Sequence, residues 1–140
     1  MRHFVSILLA FIQTVSSSPL FPVQAISVRG RLLCGQSPLA NIMDDLLDVC
    51  FTDENGIFML TGHTREDEVM QAAIKVYHHC GDQARSHDKE GRRKKKSCAR
   101  KVVWKVPTGY NTDGSITRWF DAGTINMELA FKNEERDCKH

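Results

Sequence analysis

Residues 52–62 read TDENGIFMLTG, a cluster of turn-forming residues followed by an alternating run. Asp and Asn favour turn positions, as Asp53 does here, and Gly56 accepts a positive φ, so the first half predicts a tight turn. In the second half Phe58 and Leu60 fall on one face of an alternating run, which is the period of a β-strand. A turn followed at once by an alternating strand predicts antiparallel β-structure.

The same alternation recurs on both sides of this stretch. It is found in ISVRGRLLC (26–34), AIKVYHHC (73–80), CARKVVWKVP (98–107) and, less regularly, ITRWFDAGTINMELAF (116–131). The residues predicted to share a face within one strand are Ile26, Val28, Leu32 and Cys34; Ile74, Val76, His78 and Cys80; and Cys98, Arg100, Val102, Trp104 and Val106. Short strands between turn signals, with no long helix, predict an all-β antiparallel sandwich or barrel.

Upstream of the turn, residues 38–50 (PLANIMDDLLDVC) contain little that resembles a strand. They lead instead into an acidic, helix-leaning patch at residues 44–48. Two pieces of β-structure are therefore expected to meet near Asn41 with almost nothing between them.

The N-terminal residues 1–25 predict a signal peptide. A basic start precedes an uncharged apolar run at 4–15, which is too short to span a bilayer and fits a signal-peptide core. Cleavage is expected between residues 17 and 25, leaving a domain over 26–138. Because no second long apolar run follows, the mature chain is expected to be secreted and extracellular, without a transmembrane segment.

Secretion favours disulfides among the five cysteines. Cys80 ends one strand and Cys98 begins the next, each on an apolar face, so the two are predicted to form a disulfide. Closing this loop would stabilise the folded state by roughly 3 kcal/mol. Cys34 and Cys138 are the remaining predicted pair, and Cys50 is the odd residue. Four cysteines allow three pairings, so the connectivity stays open at this point.

An ordered set of motifs gives a family resemblance: VRGRLLCGQSPLANI, DDLLD, TDENGIFMLTG, KVYHHC, RKVVWKVP, FDAGTINMELAF and ERDC. Together they resemble the nematode transthyretin-like family of secreted proteins. The resemblance implies a transthyretin-type, immunoglobulin-like antiparallel β-sandwich. Relatives carry a further strand and loop after the position of Asn41, so this chain is expected to lack most of the second strand. Its loop at 81–97 is also longer and more basic than the resemblance implies.

That loop contains the strongest charge signal. Residues Arg85 to Lys101 hold nine Lys/Arg and two Asp/Glu in a chain whose net charge is +2. The candidate anion-binding residues are Arg92, Arg93, Lys94, Lys95 and Lys96. Outside a cell such a run suits an anionic polysaccharide, anionic lipid headgroups or a cell-surface protein, whereas nucleic acid is not an expected partner. A solvated loop and a processing site for a basic-specific protease are the alternatives.

No catalytic or metal site is predicted, and no cofactor. His78 and His79 are adjacent on a strand and so point to opposite faces, and His63 lies apart from both. The acidic residues of 44–54 lack the spacing of a calcium loop. The chain also ends without the Tyr-Arg-Gly-Ser tail of hydroxyisourate hydrolases, which share the transthyretin fold. The sequence therefore predicts a non-enzymatic extracellular or cell-surface binding module, with a carrier of a small hydrophobic ligand as the alternative.

Overall fold

A computed structural model describes residues 21–45, 49–82 and 98–139. Its strands are β1 (Val23–Cys34), β2 (Ser37–Pro38), β3 (Met43–Asp45), β4 (Val49–Phe51), β5 (Ile57–Arg65), β6 (Ala73–His78), β7 (Ala99–Lys105), β8 (Thr112–Asp113), β9 (Phe120–Asn126) and β10 (Glu135–Asp137). The helical structure in these ranges is one 3-10 turn at Thr108–Tyr110. No helix in the described part of the chain is long and apolar enough to cross a bilayer.

The described strands form two five-stranded sheets. In the first, β1 is central, with β5 and β2 on one side and β8 and β9 on the other. The second has the order β10-β7-β6-β3-β4. Every pairing is antiparallel except β1 with β9, which is parallel. The strand pattern left a sandwich or a barrel open, and the all-β sandwich that the family resemblance implied is confirmed.

The two sheets pack face to face over one apolar core. The fully buried side chains come from both sheets and include Ile26, Val28, Leu32, Phe58, Leu60, Ile74, Val76 and Val102. These are the faces that period-two alternation predicted, because successive strand residues point to opposite sides of a sheet. The strands themselves start earlier or end later than predicted in β1 and β5.

The predicted turn before β5 is stabilised by its own aspartate. The Asp53 carboxylate accepts hydrogen bonds from the backbone N–H groups of Asn55 and Ile57, both at 2.8 Å. Gly56 has a φ of 74° and packs so closely on β1 that a Cβ there would lie 2.2 Å from the Leu32 carbonyl oxygen. A side chain at Gly56 is excluded both by the backbone angle and by space.

The junction near Asn41 is a strand, not the helix-leaning patch that residues 44–48 suggested. Met43–Asp45 forms β3, which pairs with β4 on one side and β6 on the other. β3 has only three residues and lies beside β6, and the expected loss of most of the second strand stays a prediction. Residues 46–48 lie outside the described ranges. Propensity was overridden here because pairing with two neighbours satisfies the backbone groups of β3.

Thr52 holds this junction together. Its side chain is buried, and Oγ1 donates to the Leu39 carbonyl at 2.5 Å and accepts from the Ile42 N–H at 2.9 Å. The Thr52 main chain bonds to Asn41 and Ile42. Asn41 takes a left-handed φ of 55°, which asparagine tolerates better than other side chains. One threonine and one asparagine therefore close the turn between β2 and β3.

The start of β1 bears on the predicted signal-peptide cleavage, which stays a prediction. Val23 to Ala25 already pair with β5. The Gln24 side chain donates to the Glu68 carbonyl at 2.6 Å and accepts from the Met70 N–H at 2.8 Å. Cleavage after Ala25 would remove these bonds, whereas cleavage near Ser17 would leave them in place.

Candidate functional site

Two disulfides lie beside the ends of the basic segment 83–97, and they are not the predicted ones. The bonds are Cys34–Cys80 and Cys98–Cys138. The four cysteines are those predicted to pair, but the pairings Cys80–Cys98 and Cys34–Cys138 were wrong. Cys50 belongs to neither bond and is partly buried against the core.

A turn after β6 explains why Cys80 does not pair with Cys98. The register of β6 with β7 ends at His78 opposite Arg100, and continuing it would have placed Cys80 opposite Cys98. Instead the Asp82 N–H bonds to the His79 carbonyl, and Gly81 has a φ of 79°. This turn directs Cys80 into the core, where Cys34 at the end of β1 meets it. Cys34–Cys80 therefore joins the two sheets, whereas Cys98–Cys138 joins neighbouring strands of one sheet.

Both ends of segment 83–97 are also fixed by Arg136. Its Nη1 donates to the two carboxylate oxygens of Asp82 at 2.8 and 3.0 Å and to the Cys98 carbonyl at 3.0 Å. Asp82 precedes the segment and Cys98 follows it, so one guanidinium bridges its two ends. The candidate anion-binding residues, Arg92 to Lys96, lie outside the described residues.

Arg100 is the most extensively bonded side chain close to these ends. Its guanidinium donates to the Glu134 carboxylate from Nε at 2.5 Å and from Nη2 at 2.6 Å. The other N–H groups bond to the carbonyls of Cys80 (2.7 Å), Met127 (2.9 Å) and Leu129 (2.7 Å). All five donors of the group are used. The side chain is 8% exposed, so this is a buried ion pair that joins β7, the end of β6 and the chain after β9.

The Arg100–Glu134 pair shifts both pKa values in the direction that keeps the charges. Hydrogen bonds from Arg100 lower the pKa of the Glu134 carboxyl. The same bonds to Glu134 raise the pKa of Arg100, against the opposing effect of burial. The sequence pattern placed Arg100 on an apolar face, but Glu134 as its partner was missed, because it lies 34 residues away along the chain.

The adjacent histidines point to opposite faces, as predicted. His78 is 1% exposed, and its Nδ1 accepts the Cys80 N–H at 3.2 Å. Nε2 therefore carries the ring proton, and it has no partner in the described residues. Burial, followed by the charge of Arg100, lowers the pKa of His78 to about 4. His79 is exposed and contacts Asp82 at 3.0 Å.

The described surface also has an open groove with a volume of about 330 Å³. It is lined by polar side chains: Asn111, Thr112, Asp113, Ser115, Thr117 and Arg118. A hydrophobic ligand gains little from a polar, open lining, because burial of apolar surface is what stabilises it. This groove does not suit the carrier function that was the alternative. The described residues also hold no group of three His, Cys, Asp or Glu side chains placed to bind a metal.

Comparison with known sequences places the chain. A profile of the transthyretin-like family matches residues 29–107. Transthyretin-like protein 33 of Caenorhabditis elegans is 35% identical over 130 residues, covering 84% of this chain and 83% of the relative. Transthyretin-like protein 46 of the same organism is 40% identical over 127 residues, covering 81% of this chain and 65% of the relative. The chain therefore belongs to the transthyretin-like family.

Proposed function

We propose that the protein is a secreted, non-enzymatic binding module that uses the basic segment 83–97 to bind an anionic surface outside the cell. The observation that carries the proposal is the clamp at the base of the segment. A disulfide lies at each end, and Arg136 holds Asp82 and Cys98 together. A clamped base lowers the conformational entropy that the segment loses on binding.

The distribution of charge supports the same assignment. Arg100 and Lys101, which the sequence analysis counted with the basic run, are paired with Glu134 and Glu135, the first pair buried and the second at the surface. What remains for a partner is segment 83–97, with seven Lys/Arg and two Asp/Glu, a net charge of +5. Since the whole chain has a net charge of +2, the rest of it is −3. The positive charge is thus concentrated in one short stretch between fixed ends.

Two classes of ligand carry anionic groups that such a segment binds: sulfated polysaccharides and acidic lipid headgroups. Binding to heparin beads and to vesicles with and without phosphatidylserine distinguishes them. Replacing Arg92, Arg93, Lys94, Lys95 and Lys96 by Gln is expected to weaken binding by roughly several thousandfold, at about 1 kcal/mol for each charge near an anionic surface. Binding should also weaken as salt is added.

The matched control removes five positive charges elsewhere. Arg65, Lys105, Arg118, Lys132 and Lys139 are exposed and scattered over the described surface. Replacing these five by Gln changes the net charge equally, and the control is expected to keep most of the binding. Equal loss in both variants would mean that only net charge matters, and retention by the segment variant would overturn the proposal. Turnover of a hydroxyisourate-type substrate by the pure protein would overturn the non-enzymatic part.

A further inference from the structure

The edges of the two sheets are protected to different degrees. Among the described strands, β4 and β10 are edges of three residues each, and β9 has a register shift against β1 and a left-handed Gly123. Short or irregular edges resist pairing with other chains. β5 is different, because it runs for nine residues in unbroken register with β1 and contains no proline.

The hydrogen bonds show which main-chain groups of β5 face outward. The Leu32 N–H donates to the Gly56 carbonyl, so the main-chain N–H and C=O groups of the even-numbered residues of β5 point toward β1. On the other side, the Ile57 carbonyl accepts from the Asp53 N–H. Odd-numbered residues therefore point their N–H and C=O groups away from the sheet. For Met59, Thr61 and His63, no described residue supplies a partner for these groups.

The side chains on the outer face of β5 leave the edge accessible. Met59 is 57% exposed and Ile57 43% exposed, and Thr61 and His63 are exposed as well. None of these residues is a lysine or an inward-pointing charge, which are the usual protections of an edge strand. The edge therefore offers a row of hydrogen-bonding groups beside two apolar side chains.

We propose that two copies of the protein associate by antiparallel pairing of β5 with β5, across a two-fold axis at Thr61. Outward-facing residues would then meet outward-facing residues, so both strands gain ladder hydrogen bonds. Thr61 lies opposite its own copy, Met59 opposite His63, and Ile57 opposite Arg65. The five-stranded sheets of the two copies become one continuous sheet, in the manner of β-strand addition.

The occupant is a second copy because the strand is its own complement in this register. No two like charges lie opposite each other, and like charges directly opposite are what destabilise a pair of strands. The long Arg65 stem covers Ile57, and the His63 ring covers Met59, while their polar ends reach solvent. Threonine opposite threonine is a favourable cross-strand pair.

The test is the mass of the mature protein in solution, measured by sedimentation equilibrium or light scattering from micromolar to millimolar concentration. The wild type is expected to approach twice the monomer mass. Thr61→Lys and Thr61→Glu place like charges on the two-fold axis, so each variant alone should stay monomeric. Mixed in equal amounts, the two variants should form a heterodimer, because Lys then faces Glu.

The control is Thr124→Lys, at an exposed threonine on β9. It adds the same charge away from β5 and should dimerise as the wild type does. A wild type that stays monomeric over the whole range overturns the proposal. So does a dimer that survives in Thr61→Lys, or a mixture of Lys and Glu variants that does not associate. The wild-type circular dichroism spectrum in each variant would show that a lost dimer is not a lost fold.

Discussion

Replacing Arg100 by Met tests whether the buried ion pair contributes to the stability of the sandwich. The change removes a side chain that is 8% exposed and leaves the Glu134 carboxylate, 18% exposed, without its main partner. The carbonyls of Cys80, Met127 and Leu129 also lose their donor. Breaking one side of a buried pair costs about 3–5 kcal/mol, and we expect a loss in that range.

A matched control lies on the same molecule. Arg29 pairs with Asp121 at 3.1 Å, but the two side chains are 51% and 55% exposed. Exposed pairs contribute about 0–1 kcal/mol because water and side-chain entropy offset the attraction, so Arg29→Met is expected to change stability by no more than that. Urea unfolding of both variants under oxidising conditions measures the difference. Equal costs for Arg100→Met and Arg29→Met would refute the reasoning.

A double-mutant cycle separates the pair from its surroundings. Glu134→Gln keeps the shape but removes the charge, and a hydrogen bond to a charged group contributes about 1.5–3 kcal/mol. The double variant is expected to cost less than the two single variants together, because the interaction can be lost only once. Since Arg100 lowers the pKa of Glu134, the contribution is present above the unfolded pKa of the carboxyl and is lost as pH falls through the folded pKa.

Two further measurements test the environment of the clamp. The folded-state pKa of His78 is lowered to about 4, so the unfolded chain binds the proton at a higher pH than the folded chain does. The free energy of unfolding should therefore fall as pH drops from about 6.5 toward 4, by about 2 kcal/mol between pH 7 and 5. His78→Asn keeps an acceptor for the Cys80 N–H and should make stability in urea unfolding depend less on pH. His63→Asn is the control and should leave the pH dependence as it is in the wild type. An unchanged pH dependence in His78→Asn would contradict the assignment of the effect to His78. Limited trypsin digestion with one cut in segment 83–97 should give two fragments on a denaturing gel without reductant, because neither Cys34–Cys80 nor Cys98–Cys138 crosses that segment. Fragments that separate only after reduction would mean that the disulfides pair differently.

The local features of the fold could be predicted from the sequence. The turn at 52–56 depends on Asp53 and Gly56, whose conformational preferences act within a few residues. The buried faces of β1, β5, β6 and β7 follow from alternation, because the pleat fixes which side chains share a face. The family and the class of fold were accessible for the same reason, since ordered motifs and strand periods are properties of neighbouring residues.

Features that depend on distant residues meeting were decided by the tertiary structure. The turn at Gly81 redirects Cys80 to Cys34, so a pairing inferred from strand parity failed although Cys80 was correctly predicted to face the core. The short strand β3 forms where propensity leans toward helix, because two neighbours satisfy its backbone. Arg100 is tolerated in the core only because Glu134 and three carbonyls converge on it. Local conformational preference determines which segments form strands. The tertiary fold determines which distant residue becomes the partner of a buried charge, a cysteine or a strand edge.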